Sequence, residues 1–214
     1  MSRRRLLLSS TDQLNSGLVF HAPFNNSTQY KDVVSGISLN YETDEMLPIQ
    51  DNYASLDGEN RLYLDDLTLP TGNSPATLAI WINPESFGVE GAGTGYCDFY
   101  GYGQPAQSEA RLIAANTDQL CAHLYAEDYD ADFPWRMDVW THCAITVDSD
   151  GVAVYADGKL LGVSALEPQT APGQLSIGGL MYGESTAHLN GKVRDARVYN
   201  RVLSAEEITK LAQL

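Results

Sequence analysis

An all-β fold, a sandwich or barrel of antiparallel strands, is what this sequence predicts. Three observations carry that expectation. Apolar residues alternate with period two along several segments, Gly-containing turns recur between them at near-regular spacing, and no helical pattern alternates with the strands, which excludes a parallel α/β sheet. The 214 residues suit one such domain. A chain of this size buries about seventy per cent of its unfolded surface and needs no disulfide staple.

Residues 1–16 read as a tail. Arg3, Arg4 and Arg5 mimic the start of a signal peptide, but Leu6–Leu8 fall short of the roughly 7–15 apolar residues such a signal needs. A flexible basic tail and a docking arm are both open readings. The domain then spans 17–214. In its first strand Leu18, Phe20, Ala22 and Phe24 share one face, with Val19, His21 and Pro23 on the other, and Pro23 limits where the ladder continues. Thr141, Cys143, Ile145 and Val147 share a face of a later strand, opposite Trp140, His142, Ala144 and Thr146. Ser149-Asp150-Gly151 turns that strand into Val152–Ala156, and Asp157-Gly158 turns the chain again. Trp81 and Trp140 sit in core-like strands and are expected to be structural. At the end, Val193–Tyr199 reads as a strand and Ala205–Gln213 as a helix. Ser204 and Glu207 have the spacing of a capping box, and Ile208, Leu211 and Ala212 recur at helical intervals.

Two stretches interrupt the alternation and are expected to be long loops. Residues 87–105 are rich in Gly (among them Gly91, Gly93, Gly95, Gly101 and Gly103) and carry Tyr96, Phe99, Tyr100 and Tyr102. Residues 125–135 pack Glu127, Asp128, Asp130 and Asp132 between Tyr125, Tyr129, Phe133 and Trp135.

The wording of several segments is more specific than their pattern. The run Gly191-x-Val193-x-Asp195-Ala196-Arg197-Val198-Tyr199-Asn200-Arg201-x-Leu203-Ser204 resembles the closing strand of laminin-G-like, concanavalin A-like jelly-roll domains. Residues 17–24 with the turn Asp32–Gly36, then 53–58, 76–84, 140–158 and 174–179, are similar in the same order to that family's other strands. The resemblance covers about residues 17–214 and implies a concanavalin A-like jelly-roll β-sandwich with a short C-terminal helix.

The formal net charge is −15, so a polyanion is repelled and nucleic-acid binding is excluded. No apolar run reaches the roughly 20 residues of a membrane-spanning helix. Cys97, Cys121 and Cys143 are odd in number and widely spaced, unlike a zinc site; a Cys97–Cys121 bridge stays open.

Catalysis on this sandwich needs paired carboxylates on one face of a strand, and no E-x-D-x-E triplet occurs. Glu127, Asp128, Asp130 and Asp132 come nearest and are expected in a loop. His21, His123, His142 and His188 are scattered. The family resemblance implies a calcium ion held by Asp32 and Asp195 with backbone carbonyls, although Arg194 stands where the family has a second acid. The competing reading has Asp195 paired with a neighbouring Arg and Asp32 capping an Asx turn. Saccharides stack on aromatic rings and direct hydroxyls to carboxylates. Tyr96, Tyr100, Tyr102, Tyr129 and Trp135, with Asp130, are therefore the candidate ligand-binding residues.

The expected role is non-catalytic recognition or adhesion toward a glycan or a protein surface. A chain that starts at Met1 without an export signal is expected at a virion surface, as a phage head-fibre, decoration or tail-appendage protein, docked through its basic tail. An extracellular or cell-surface location is the alternative. The rival functions are a free bacterial carbohydrate-binding module and a glycoside hydrolase on the same fold. The aromatic stretches could also be buried against a second copy of the chain.

Overall fold

The computed structural model describes residues 10–42, 49, 51–65, 67–88, 95–179 and 188–214. The first half forms α1 (Ser10–Asn15), β1 (Leu18–Ala22), β2 (Asn40–Tyr41), β3 (Ala54–Asp57), β4 (Leu62–Leu64), β5 (Ala76–Phe87) and β6 (Cys97–Gly103). The second forms β7 (Ala110–Asn116), β8 (Gln119–His123), β9 (Asp128–Asp132), β10 (Thr141–Asp148), β11 (Gly151–Ala156), β12 (Lys159–Ser164), β13 (Gln174–Ile177), β14 (Leu189–Tyr199) and α2 (Ala205–Leu211). Two antiparallel sheets result. The first runs β1-β14-β5-β10-β11-β12, with β3 also on β14; the second runs β2-β4-β13-β6-β7-β8-β9. The expected jelly-roll sandwich is the observed one.

Alternation decides what fills the space between the sheets. Phe20, Leu78, Ile80, Ile82, Cys143, Ile145, Val193 and Val198 from the first sheet meet Leu62, Phe99, Ile113, Leu120, Leu175 and Ile177 from the second in one buried cluster. Each such side chain removed from water stabilises the fold by about 1.5–3 kcal/mol, before chain entropy is subtracted. Trp81 and Trp140 are not part of that core. Both stand half-buried outside the first sheet, because Trp81 pairs across the ladder with His142 on the face opposite Ile80 and Ile82.

A second, smaller cluster fastens the C-terminus over the outer face of the first sheet. Leu203, Ile208 and Leu211 pack on Ala79, Ala144, Tyr155 and Tyr199, with Leu14 of α1 joining them. The expected tail therefore ends earlier than residue 16: α1 is docked, and Arg201 bonds the carbonyls of Gln13 and Ser16 as well as Glu207. Arg3–Arg5 lie outside the described residues. Both halves of the capping box form: Ser204 Oγ accepts from Glu207 N at 3.2 Å, and Glu207 Oε2 accepts from Ser204 N at 2.8 Å. Ser204→Ala is expected to cost about 1 kcal/mol in urea unfolding, and an unchanged midpoint would contradict that.

Both expected loops contain strands. Residues 97–103 are β6, where glycine marks close backbone approach rather than flexibility. A Cβ at Gly101 would collide with the Arg111 carbonyl oxygen, and one at Gly103 with that of Glu109. Gly91 and Gly93 lie outside the described residues. Residues 128–132 are the edge strand β9, with Tyr129 and Ala131 turned to the core. Cys97, Cys121 and Cys143 are free and buried, and β7 separates Cys97 from Cys121.

Candidate functional site

Period two leaves polar residues on the outer face of the second sheet. Register then aligns them. Asp98 of β6, Ala114 of β7, Cys121 of β8 and Asp130 of β9 form one row across four strands; Leu112, His123 and Asp128 form the next. The small Ala114 side chain leaves room for Asp98 to reach diagonally to His123. Nδ1 of His123 lies 2.5 Å from Asp98 Oδ1, and Nε2 lies 3.5 Å from Asp128 Oδ1. Asp98 and His123 are almost wholly buried, whereas Asp128 keeps about a fifth of its side chain exposed (20%).

With a carboxylate at each ring nitrogen, His123 favours its protonated form. Burial alone would lower its pKa, but the Asp98 hydrogen bond and the charges of Asp98, Asp128 and Asp130 raise it above the ordinary 6.5. Burial also raises the Asp128 carboxyl, helped by Asp130 and Asp98 and opposed by His123. Its buried Oδ1 accepts no hydrogen bond among the described residues. The site is rich in acceptors and short of donors.

Aromatic rings frame it. The Tyr96 ring lies 5.0 Å from the His123 ring, and its hydroxyl bonds Asp130 at 2.9 Å. Tyr125 stacks parallel on His123, 6.0 Å away at 4°. That placement depends on the β8–β9 turn, where Tyr125 and Ala126 take φ of 63° and 68°, a conformation uncommon outside glycine. Tyr96, Tyr125, Asp128 and Asp130 are half-buried and reachable, with the His123–Asp98 pair beneath them.

Of the six candidate ligand residues, Tyr96 and Asp130 are brought together here. The other four are not surface anchors. Tyr100 and Tyr102 are each 1% exposed and belong to the core, Tyr102 donating to the Pro70 carbonyl. Tyr129 points between the sheets, its hydroxyl against Gly162. Trp135 sits among Phe87, Phe99 and Phe133 and donates Nε1–H to the Gln119 carbonyl. Glu127 lies outside the rows and is bonded by Gln107. Asp98, His123, Asp128 and Tyr125 complete the site. Of these only His123 carried a sequence signal, the alternation of Gln119, Cys121 and His123 against Leu120, Ala122 and Leu124.

The two expected calcium ligands do not fit a cation. Buried Asp32 accepts from the backbone N–H of His21, Val34 and Ser35 and from Ser35 Oγ, so it caps its turn. Asp195 faces His21 Nε2 at 2.6 Å and the Arg197 guanidinium at 2.9 Å, which occupies a cation's place. Burial would raise the Asp195 carboxyl, but His21 and Arg197 hold it below its ordinary value. Among the described residues, no group of three or more His, Cys, Asp or Glu is arranged for a metal ion. EDTA is expected to leave the melting temperature unchanged; a calcium-dependent rise would contradict this placement.

A family model described as the concanavalin A-like lectin/glucanases superfamily matches residues 56–209. Among solved structures, domain 4 of AbnA, an extracellular arabinanase of Geobacillus stearothermophilus in complex with arabinotriose, is similar at TM-score 0.67 and 20% identity, over 92% of this chain and 99% of that one. Trypanosoma rangeli sialidase is similar at TM-score 0.66 and 20% identity, over 92% of this chain and 32% of that one. The botulinum neurotoxin serotype D ligand binding domain in complex with N-acetylneuraminic acid is similar at TM-score 0.69 and 12% identity, over 96% of this chain and 52% of that one. The chain thus spans about a third of the sialidase and half of the toxin domain. These likenesses concern the fold.

Proposed function

This chain belongs to the concanavalin A-like lectin/glucanases superfamily, and from that premise we propose that it is a glycan-binding module that reads its ligand on the outer face of the second sheet. One observation carries the reading: two tyrosine rings and two reachable carboxylates converge on a buried, acid-paired histidine. A sugar ring would lie on Tyr96 and Tyr125 and donate hydroxyl hydrogens to Asp128 and Asp130. Buried Asp98 and His123 would hold those partners in place. The arabinotriose bound by the arabinanase domain and the N-acetylneuraminic acid bound by the toxin domain support the ligand class.

Isothermal titration against arabinotriose and a panel of neutral oligosaccharides tests this. Tyr125→Ala and Asp130→Asn are each expected to weaken binding about tenfold or more, with melting points within about 3 °C of the parent. The reading falls if no oligosaccharide binds, or if both variants bind like the parent.

A second reading, glycoside hydrolysis, draws on Asp128, Asp130 and Asp132, which alternate onto one face of β9. Paired carboxylates are what such chemistry requires. Product analysis after prolonged incubation with the bound oligosaccharide separates the two, since a binding module returns it intact. The finer reading, a virion surface protein, rests on Arg3–Arg5. Deleting residues 1–9 is then expected to abolish particle attachment while sparing glycan binding.

A further inference from the structure

The outer face of the first sheet carries a second aromatic group, of opposite electrostatic character. Beyond the patch covered by α2, the ladder aligns Arg194 of β14, Trp81 of β5 and His142 of β10 in one row. The Arg194 Cζ lies 4.8 Å from the Trp81 ring and 4.7 Å from the Trp140 ring. Tyr53 continues the surface, 6.1 Å from Trp140, with Lys192 Nζ 5.9 Å from the Tyr53 ring.

The stacked guanidinium is chemically unfinished. Arg194 makes no hydrogen bond or ion pair among the described residues, although its chain carries a net charge of −15. Two acids at neighbouring positions of the same sheet are already engaged: Asp195 by His21 and Arg197, Glu85 by Lys192 at 3.2 Å. Trp81 Nε1 and His142 Nδ1 on the same row are buried without a hydrogen-bond partner among the described residues. His142 does not supply a competing charge, since burial, with Arg197 nearby, depresses it to about 4 against the pull of Asp195. A guanidinium whose faces are held by indoles keeps its N–H edge free and pre-oriented, which suits bidentate recognition of a planar carboxylate. An inorganic anion would use only that edge, whereas a sugar acid would also use the rings.

We propose that Arg194, packed against Trp81 and Trp140, is the anion-reading group of a second ligand site, independent of the first, for a carboxylate-bearing sugar unit. The carboxylate would take the guanidinium edge, and the sugar ring would lie on Tyr53 and Trp140 with Lys192 beside it.

The indole N–H signals of the 15N-labelled full chain report on this directly. Titration with sialyllactose and trigalacturonate should shift the Trp81 and Trp140 signals. Lactose and the methyl-esterified trimer should bind at least about tenfold more weakly, because they lack the anion. Arg194→Met keeps the apolar stem and should lose about tenfold or more in affinity, and Arg194→Lys should recover only part of it. Tyr53→Ala, which leaves the guanidinium in place, should weaken both acidic sugars. Equal binding of the esterified ligand, or parental affinity in Arg194→Met or Tyr53→Ala, would overturn the assignment. An aspartate-containing peptide that shifts these indoles where neither sugar does would overturn it as well.

Discussion

Asp98→Ala is expected to destabilise the protein by about 3–5 kcal/mol, because it strands a buried imidazolium without its closest counter-charge. His123 carries a folded-state pKa above 6.5. The stability contributed by a histidine raised in this way is fully present below 6.5 and lost as pH rises through the folded value. The deficit of Asp98→Ala against the parent should therefore be largest near pH 6 and shrink in alkaline buffer. Removing both partners should cost less than the sum of the two single changes, since the double variant leaves no orphaned charge. Urea unfolding at several pH values measures all of this. A deficit that does not vary with pH would mean that Asp98 acts through packing alone.

Gly101→Ala is expected to abolish folding or cost more than about 4 kcal/mol, because the new methyl would meet the backbone of β7 rather than a movable side chain. Gly95→Ala is the control. Among the described residues nothing lies within 4 Å of the Cβ it would gain, and its φ is 73°, so the left-handed penalty applies. That penalty is about 1–2 kcal/mol. Circular dichroism of the two variants separates close approach from backbone conformation. Similar melting points for both would contradict the placement of β6.

These glycines also explain where the sequence was misleading. The C-terminal helix was legible because its capping residues and its apolar stripe agree. In β10, the face that carries Cys143, Ile145 and Val147 is the one that enters the core, whereas in β14 a bulge between Arg194 and Arg197 breaks the alternation. In β6, however, Gly101 and Gly103 look like loop residues until the neighbouring backbone that excludes a side chain is known. β9 was hidden by composition: three aspartates depress strand propensity, and Ala131 is a weak hydrophobic signal. The same limit applied to the site. Strict alternation would put Tyr96, Asp98, Tyr100 and Tyr102 on one face, but a register shift between Asp98 and Tyr100 turns the last two into the core. His123 looked isolated because its partners lie on other strands, 25 residues from Asp98 in one direction and across the β8–β9 hairpin in the other.

The glycan-binding account depends on which face of the sandwich meets the ligand, and chemical-shift mapping decides that. Titrating the labelled full chain with the best neutral oligosaccharide should shift the His123 imidazole, the Tyr96 and Tyr125 rings, and the backbone amides of Asp128 and Asp130, while Trp81 and Trp140 stay in place. Shifts confined to other surfaces, with the His123 imidazole unmoved at saturating ligand, would contradict it.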